Sequence, residues 1–293
     1  MFSTSEYIDH LKDPYLRNSF KSHFDLGSSA SIYYTTNTDV NPKVNYFYTK
    51  FQADWAGNTI SMFNGLLNKS EDGERTIWGM PYSQYVRGEV QVVQTIWFGK
   101  FEKYSLALRA LAGGGYAYGN SKSLPFEQLF YAGGANSLRG WQSRAVGPGS
   151  AQRDTSFVIA NQSGDMHLEF NAEFRFPMVW KLYGALFLDA GNIWTLRHGK
   201  KLLEAPALTE NNEKKTTGSE TQDEEFGRFK FKDMLKTSAV NSGIGLRLDF
   251  GLLMVRVDWG IKLYDPSTKD FYGMNDWFLN GGSCLHFGVG LPF

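Results

Sequence analysis

The sequence predicts an all-β fold, an antiparallel transmembrane β-barrel, and three observations predict it. Roughly nine segments alternate apolar and polar residues with the two-residue period of a strand. They run about 9 to 14 residues, whereas soluble strands centre nearer five or six and a tilted spanning strand needs about 9 to 11. Short turns near Gly99–Lys103, Pro177–Lys181 and Gly251–Leu252 alternate with long connections at 57–82, 119–164, 195–239 and 265–281, the two-sided asymmetry of an outer-membrane barrel.

In chain order, the weaker candidates fall near 20–37, 43–56, 83–99 and 103–118. In 168–176, Leu168, Phe170, Ala172, Phe174 and Phe176 share one face, and Glu169, Asn171, Glu173 and Arg175 share the other. A further strand is expected at 180–194, where Asp189 lies on the same face as Phe187 and Ala185. In 243–251, Ile244, Leu246, Leu248 and Phe250 oppose three glycines, Arg247 and Asp249. In 253–264, Leu253, Val255, Val257, Trp259, Ile261 and Leu263 oppose Met254, Arg256, Asp258, Gly260, Lys262 and Tyr264. The last segment sets Leu285, Phe287, Val289, Leu291 and Phe293 against Cys284, His286, Gly288, Gly290 and Pro292. Trp97, Trp180, Trp194 and Trp259 are expected at strand ends, as an interfacial aromatic belt. The charge runs inside 195–239 predict a mobile, solvated loop.

The 293 residues carry a formal net charge of zero, so no basic field is available to hold nucleic acid. The mean hydropathy of −0.35 resembles that of a soluble protein, but a barrel with apolar-out, polar-in strands averages to the same range. No window approaches 18 consecutive apolar residues, which excludes a spanning helix. A single cysteine, Cys284, rules out an intrachain disulfide. The first residues lack the basic patch and apolar core of a secretory signal, so export information is expected elsewhere in the gene product. His10, His23, His167, His198 and His286 show no metal-ligand spacing, and no nucleophile–base order or phosphate loop stands out, so neither an enzyme nor a metal site is expected.

The most informative stretch is Phe130 to Trp141, which holds Gly133, Gly134, Leu138, Arg139, Gly140 and Trp141. Gly133 and Gly134 permit tight folding, and Gly140 is expected to let the chain bend directly after Arg139. Arginine is the side chain suited to a buried, bidentate pairing with a carboxylate. The alternative is a Gly-rich surface turn with a solvated guanidinium.

With that motif placed, the chain resembles the C-terminal barrel region of the BamA/TamA outer-membrane assembly superfamily, also called the bacterial surface antigen family. Ser137-Leu138-Arg139-Gly140-Trp141 is similar to that family's Arg-Gly-aromatic loop motif, and Leu186 to Trp194 to its Phe-x-Asp-x-Gly-x-x-Trp strand. Gly243 to Asp249 resembles the next strand, and His286 to Phe293 the last. Together these matches span about 130–293 in the family's order, while 1–129 fit as preceding strands without a motif of their own.

The resemblance implies that Arg139 folds into the lumen and meets Asp189 and Glu173. The competing arrangement pairs those carboxylates with Arg175 and Arg247 and leaves Arg139 free. It implies a partial barrel, about nine strands of a sixteen-strand ring, with the rest and the family's periplasmic POTRA domains expected upstream. It implies residence in the bacterial outer membrane and insertion of other β-barrel proteins by strand templating at a lateral seam, with no cofactor. Implied partners are outer-membrane lipid, unfolded β-barrel clients and assembly lipoproteins. The alternation Leu285, Phe287, Val289, Leu291 and Phe293 has the form of the C-terminal assembly signal of such barrels, while Gly288, Gly290 and Pro292 are expected to weaken the seam. Two alternatives stay open, a two-partner-secretion pore for polypeptides and a passive porin.

Overall fold

The structure, a computed structural model, describes residues 19–39, 43–70, 73–99, 103–152, 162–196, 227–251 and 253–293. Nine long strands form one sheet: β1 (Gly27–Thr35), β2 (Tyr46–Ala56), β3 (Tyr85–Phe98), β4 (Tyr104–Ala117), β5 (Met166–Pro177), β6 (Leu182–Trp194), β7 (Ala239–Asp249), β8 (Met254–Asp265) and β9 (Ser283–Val289). They follow one another across the sheet in chain order, and every pairing is antiparallel. Among the described residues β1 pairs only with β2, and β9 only with β8, so the sheet is a partial barrel with two edges. A two-residue strand, Asp270–Phe271, extends β8 beyond the end of β9.

Register places apolar side chains in line across the outer face. Ile96 pairs with Leu106, Leu106 with Phe174, Phe174 with Leu186, Leu186 with Ile244, Ile244 with Trp259, and Trp259 with Leu285. This row crosses seven strands, and Leu186, Ile244 and Leu285 are each about half exposed (49%, 53% and 55%). One residue along, the side chains point the other way, and there Glu169, Asn171, Glu173, Asp189, Asn241, Arg247, Arg256 and Asp258 are all buried. Apolar side chains outside and paired charges inside invert the pattern of a soluble domain and match a barrel whose solvent is lipid.

Several strands differ from expectation. The segment 20–37 is a strand only over Gly27–Thr35: Phe24 instead exchanges backbone hydrogen bonds with Pro81 and Ser83, and Phe20 stacks on Phe126 at 3.9 Å. The connection after β2 is structured, with a four-residue helix at Asn58–Ser61 and a separate small sheet of Asn68–Lys69, Arg75–Ile77 and Met80–Pro81. β7 starts four residues earlier than predicted. In β8 the register slips by one residue opposite Val240/Asn241, so Asp265, not Tyr264, follows Lys262 onto the buried face. Of the four expected belt tryptophans only Trp180 is largely exposed, at 79%; Trp194 is fully buried, and Trp97 lines a cavity with Arg175 and Arg247. Most of the predicted mobile loop 195–239 lies outside the described residues; its end, 227–238, packs back on β6, where Trp194 Nε1 donates to Thr237 Oγ1 at 3.0 Å.

The outer row generates a stability prediction. Ile244→Arg should destabilise the folded protein in bilayers by about 2–4 kcal/mol. Ile244→Leu should leave it nearly unchanged, both read from urea midpoints of folding into lipid vesicles.

Candidate functional site: the lumenal arginine and its acidic floor

The connection from β4 to β5, described over 118–152 and 162–165, folds into the concave side of the sheet. Its own apolar residues form the core there: Phe130, Ala132, Leu138, Trp141, Ala145 and Val146 cluster with Ile193 of β6 and Ala239 of β7. The backbone takes left-handed turns at Gly133 and Gly134 (φ 102° and 100°), and a Cβ at Gly133 would overlap the Gln142 carbonyl. Tyr131 is held inside this loop, its hydroxyl donating to the Phe126 carbonyl at 2.9 Å; burial pushes it up to about 12, against the opposing charge of Arg144.

Arg139 is fully buried, and the strands meet it with carboxylates. Its Nε donates to Asp189 Oδ2 at 3.0 Å and its Nη2 to Asp189 Oδ1 at 2.8 Å, a bidentate fork, while the Arg139 backbone N–H adds a third bond at 3.2 Å. Nη1 donates to Glu173 Oε2. The cross-strand neighbours of Asp189 are Asn171 on β5 and Asn241 on β7, and both donate to it, at 3.1 and 2.9 Å. Asp189 therefore accepts five N–H groups, which saturates its lone pairs. Glu173 also receives Arg175 Nε at 2.7 Å and Arg247 Nη2 at 2.9 Å. Arg247 continues to Asp258 at 2.6 Å, and Asp258 to Arg256 at 2.9 Å. Arg139 is thus not free, and the competing arrangement survives only at Glu173, which pairs with Arg175 and Arg247 as well as with Arg139.

The strands leave room for this docking. The Arg139 guanidinium lies 3.6 Å from the Phe187 ring centroid, over a lane in which Phe187 is followed across the sheet by Gly243 and Gly260. A Cβ at Gly260 would overlap the Arg139 carbonyl, and one at Gly243 would overlap the Phe187 ring. Gly140 is needed for a similar reason, since a Cβ there would stand 2.7 Å from Asn241 Cβ; its backbone is not left-handed, so close approach rather than a bend explains the residue. Leu138 and Trp141 are buried on either side of Arg139, and Trp141 Nε1 donates to Asp265 Oδ2 at 3.2 Å. A second anchor lies nearby: Arg109 reaches Glu169 at 3.0 Å, and Ser137 donates to the same carboxylate.

The last strand departs from its predicted pattern. Leu285, Phe287 and Val289 face outward, 55–72% exposed, but pairing stops at Val289 and Gly290 turns left-handed (φ 85°). Leu291 then lines the lumenal cavity beside Arg175 and Arg247, and the Phe293 ring lies 5.9 Å from the Arg139 guanidinium. The outward alternation of five residues is therefore cut to three by a glycine turn. On the inner face, His286 Nε2 donates to the Arg139 carbonyl at 3.1 Å.

Sequence reasoning missed Asn241, Asp265 and His286. Asn241 lay outside the shortened β7, and the bulge hid Asp265; His286 was on the inward face by parity, a signal available but unused. Among the described residues one trio, His23, Asp25 and Glu127, gathers donor atoms within 4.8 Å of one another. His23 faces Glu127 at 3.0 Å, and Asp25 accepts from Tyr85 at 3.0 Å, so ordinary hydrogen bonds account for it.

A family model described as the Omp85 superfamily domain matches residues 16–293. The outer membrane protein assembly factor BamA of Neisseria meningitidis serogroup B is 32% identical over 106 residues, 34% of this chain and 13% of that protein, so the match spans a small part of its length. BamA of Haemophilus ducreyi lacking POTRA domains 1–3 aligns with 90% of this chain and 53% of its own at 15% identity and a TM-score of 0.45. CdiB from Acinetobacter baumannii aligns with 90% and 33% at 13% identity and a TM-score of 0.46.

Two substitutions separate charge from fit. Asp189→Asn keeps the shape but removes the bidentate acceptor and should cost about 3–5 kcal/mol, with new protease cleavage in 119–152. Gly260→Ala removes no charge yet should expose the same loop to protease, because its methyl displaces the Arg139 carbonyl.

Proposed function

This chain belongs to the Omp85 superfamily, and from that premise we propose that it is the membrane-embedded part of an outer-membrane assembly factor, one that inserts and folds other β-barrel proteins by adding their strands at a lateral seam. The observation that carries the reading is the edge at β9. Its ladder to β8 holds seven residue pairs, against ten between β7 and β8. Gly288 offers no side chain to pack, and the left-handed Gly290 ends the ladder.

Beyond that ladder, β9 has an edge with no partner among the described residues. An incoming strand finds backbone donors and acceptors there, flanked on the lipid side by Leu285, Phe287 and Val289, the layout of β-augmentation. An alternating apolar client strand would match that spacing residue for residue. In this reading Arg139 and its carboxylates hold the lumenal loop against the inner wall; they perform no covalent chemistry and need no cofactor. Clients would be unfolded β-barrel proteins in contact with outer-membrane lipid, with assembly lipoproteins as accessory partners.

The test uses the source organism's complete gene product, with Cys284→Ser and Phe287→Cys, reconstituted in lipid vesicles. A urea-unfolded β-barrel client carrying single cysteines along its last strand is then added. The expected result is faster client folding, seen as heat-modifiable mobility, with disulfides to position 287 at alternate client residues. Client passage into the vesicle interior without such cross-links would favour polypeptide secretion, and no interaction would reject both.

A further inference from the structure

The apolar row on the outer face does not stop at β9. Between Asp270–Phe271 and β9 the chain makes a short helix, α1 (Met274–Leu279), held at the rim of the last hairpin. Trp277 fastens it, with Nε1 donating to the Lys262 carbonyl of β8 at 2.8 Å and its own carbonyl accepting from Ser283 Oγ at 2.8 Å. The Phe278 ring lies 5.5 Å from Trp259, a member of the outer row, and the Phe271 ring 4.9 Å from Tyr264. Four large apolar side chains of this segment stay exposed: Phe271 (83%), Met274 (69%), Phe278 (66%) and Leu279 (80%).

Met274 and Phe278 are four residues apart and share one helix face. Asp276 and Asn280, also four apart, hydrogen-bond to each other at 3.0 Å on a different face, and Asp276 caps the helix by accepting the Gly273 N–H at 2.9 Å. The result is a polar side and an apolar side at the end of a lipid-facing wall. We propose that 271–279 is an interfacial anchor, lying along the bilayer surface with Phe271, Met274 and Phe278 inserted among acyl chains beside β9. The bilayer is the occupant because the apolar face is continuous with the outer row through Phe278 and Trp259. An amphipathic turn with aromatics at that level is the chemistry of the lipid–water boundary.

The inference rests on the membrane reading above, so the experiment tests the two separately. In a Cys284→Ser background, single cysteines replace Phe278, Met274, Asn280, Lys69 or Ile244 and carry an environment-sensitive fluorophore. The full chain is reconstituted in phosphatidylcholine–phosphatidylglycerol vesicles containing either shallow or deep nitroxide-labelled lipid. Labels at 278 and 274 should be quenched several-fold more by shallow nitroxide than labels at 280 and 69, while the label at 244 responds to the deep one. If 244 responds but 274 and 278 are quenched only by aqueous iodide, the anchor is wrong and the membrane reading stands. If 244 is also quenched only from water, the membrane reading fails first. Disulfide-linked dimers through position 278, in place of lipid quenching, would assign the face to a second copy of the chain and overturn the proposal.

Discussion

A guanidinium removed from water has to be met by carboxylates, and around Arg139 that requirement organises three separate parts of the chain. Asp189 grips it from β6, Glu173 from β5, and the Arg139 backbone gives Asp189 a further N–H. Those carboxylates are themselves buried and could not be tolerated alone. Each is completed by the sheet, Asp189 by Asn171 and Asn241, Glu173 by Arg175 and Arg247. The strand donors to Asp189 are neutral amides, so the loop arginine supplies the cation that Asp189 is paired with, and Asp189 supplies the fork that the guanidinium needs.

The glycines make that exchange possible. A barrel wall built of ordinary inward side chains would hold the loop some ångströms off, out of reach of a bidentate fork. Gly243 and Gly260 strip one lane of the wall to backbone, and Phe187 at its edge supplies a flat aromatic surface for the guanidinium. The two sides of the sheet therefore follow different rules. The outer side is a matter of area and alignment, as in the row from Ile96 to Leu285. The inner side is a matter of fit, where one methyl group is enough to interfere.

Period-two alternation revealed the wall because lipid outside and charge inside make every second residue informative. Leu186, Ile244 and Glu173 could be assigned to their faces with no knowledge of their neighbours. What alternation cannot carry is an interruption of its own period. The slipped residue in β8 turned Asp265 inward, and the left-handed Gly290 sent Leu291 and Phe293 into the lumen; both break the count without an unusual composition. Trp97 and Trp194 were misplaced for two different reasons. Their aromaticity suggested a lipid interface, but Trp97 lines the inner cavity beside Arg175 and Arg247, while Trp194, which shares the outward parity of Leu186, is covered by Phe229 and Thr237 from the end of the 195–239 connection.

His286 links the edge strand to the loop backbone, at the Arg139 carbonyl and at Trp141, and the Phe293 ring beyond it lies 5.9 Å from the Arg139 guanidinium. The guanidinium itself is carried by β5 and β6, several strands away from that edge. A displacement of β9 would therefore cost the loop its contacts with His286 and Phe293 and leave both ion pairs of Arg139 in place. In the proposed function, the charged grip on the loop is thus separate from the edge at which client strands would be added.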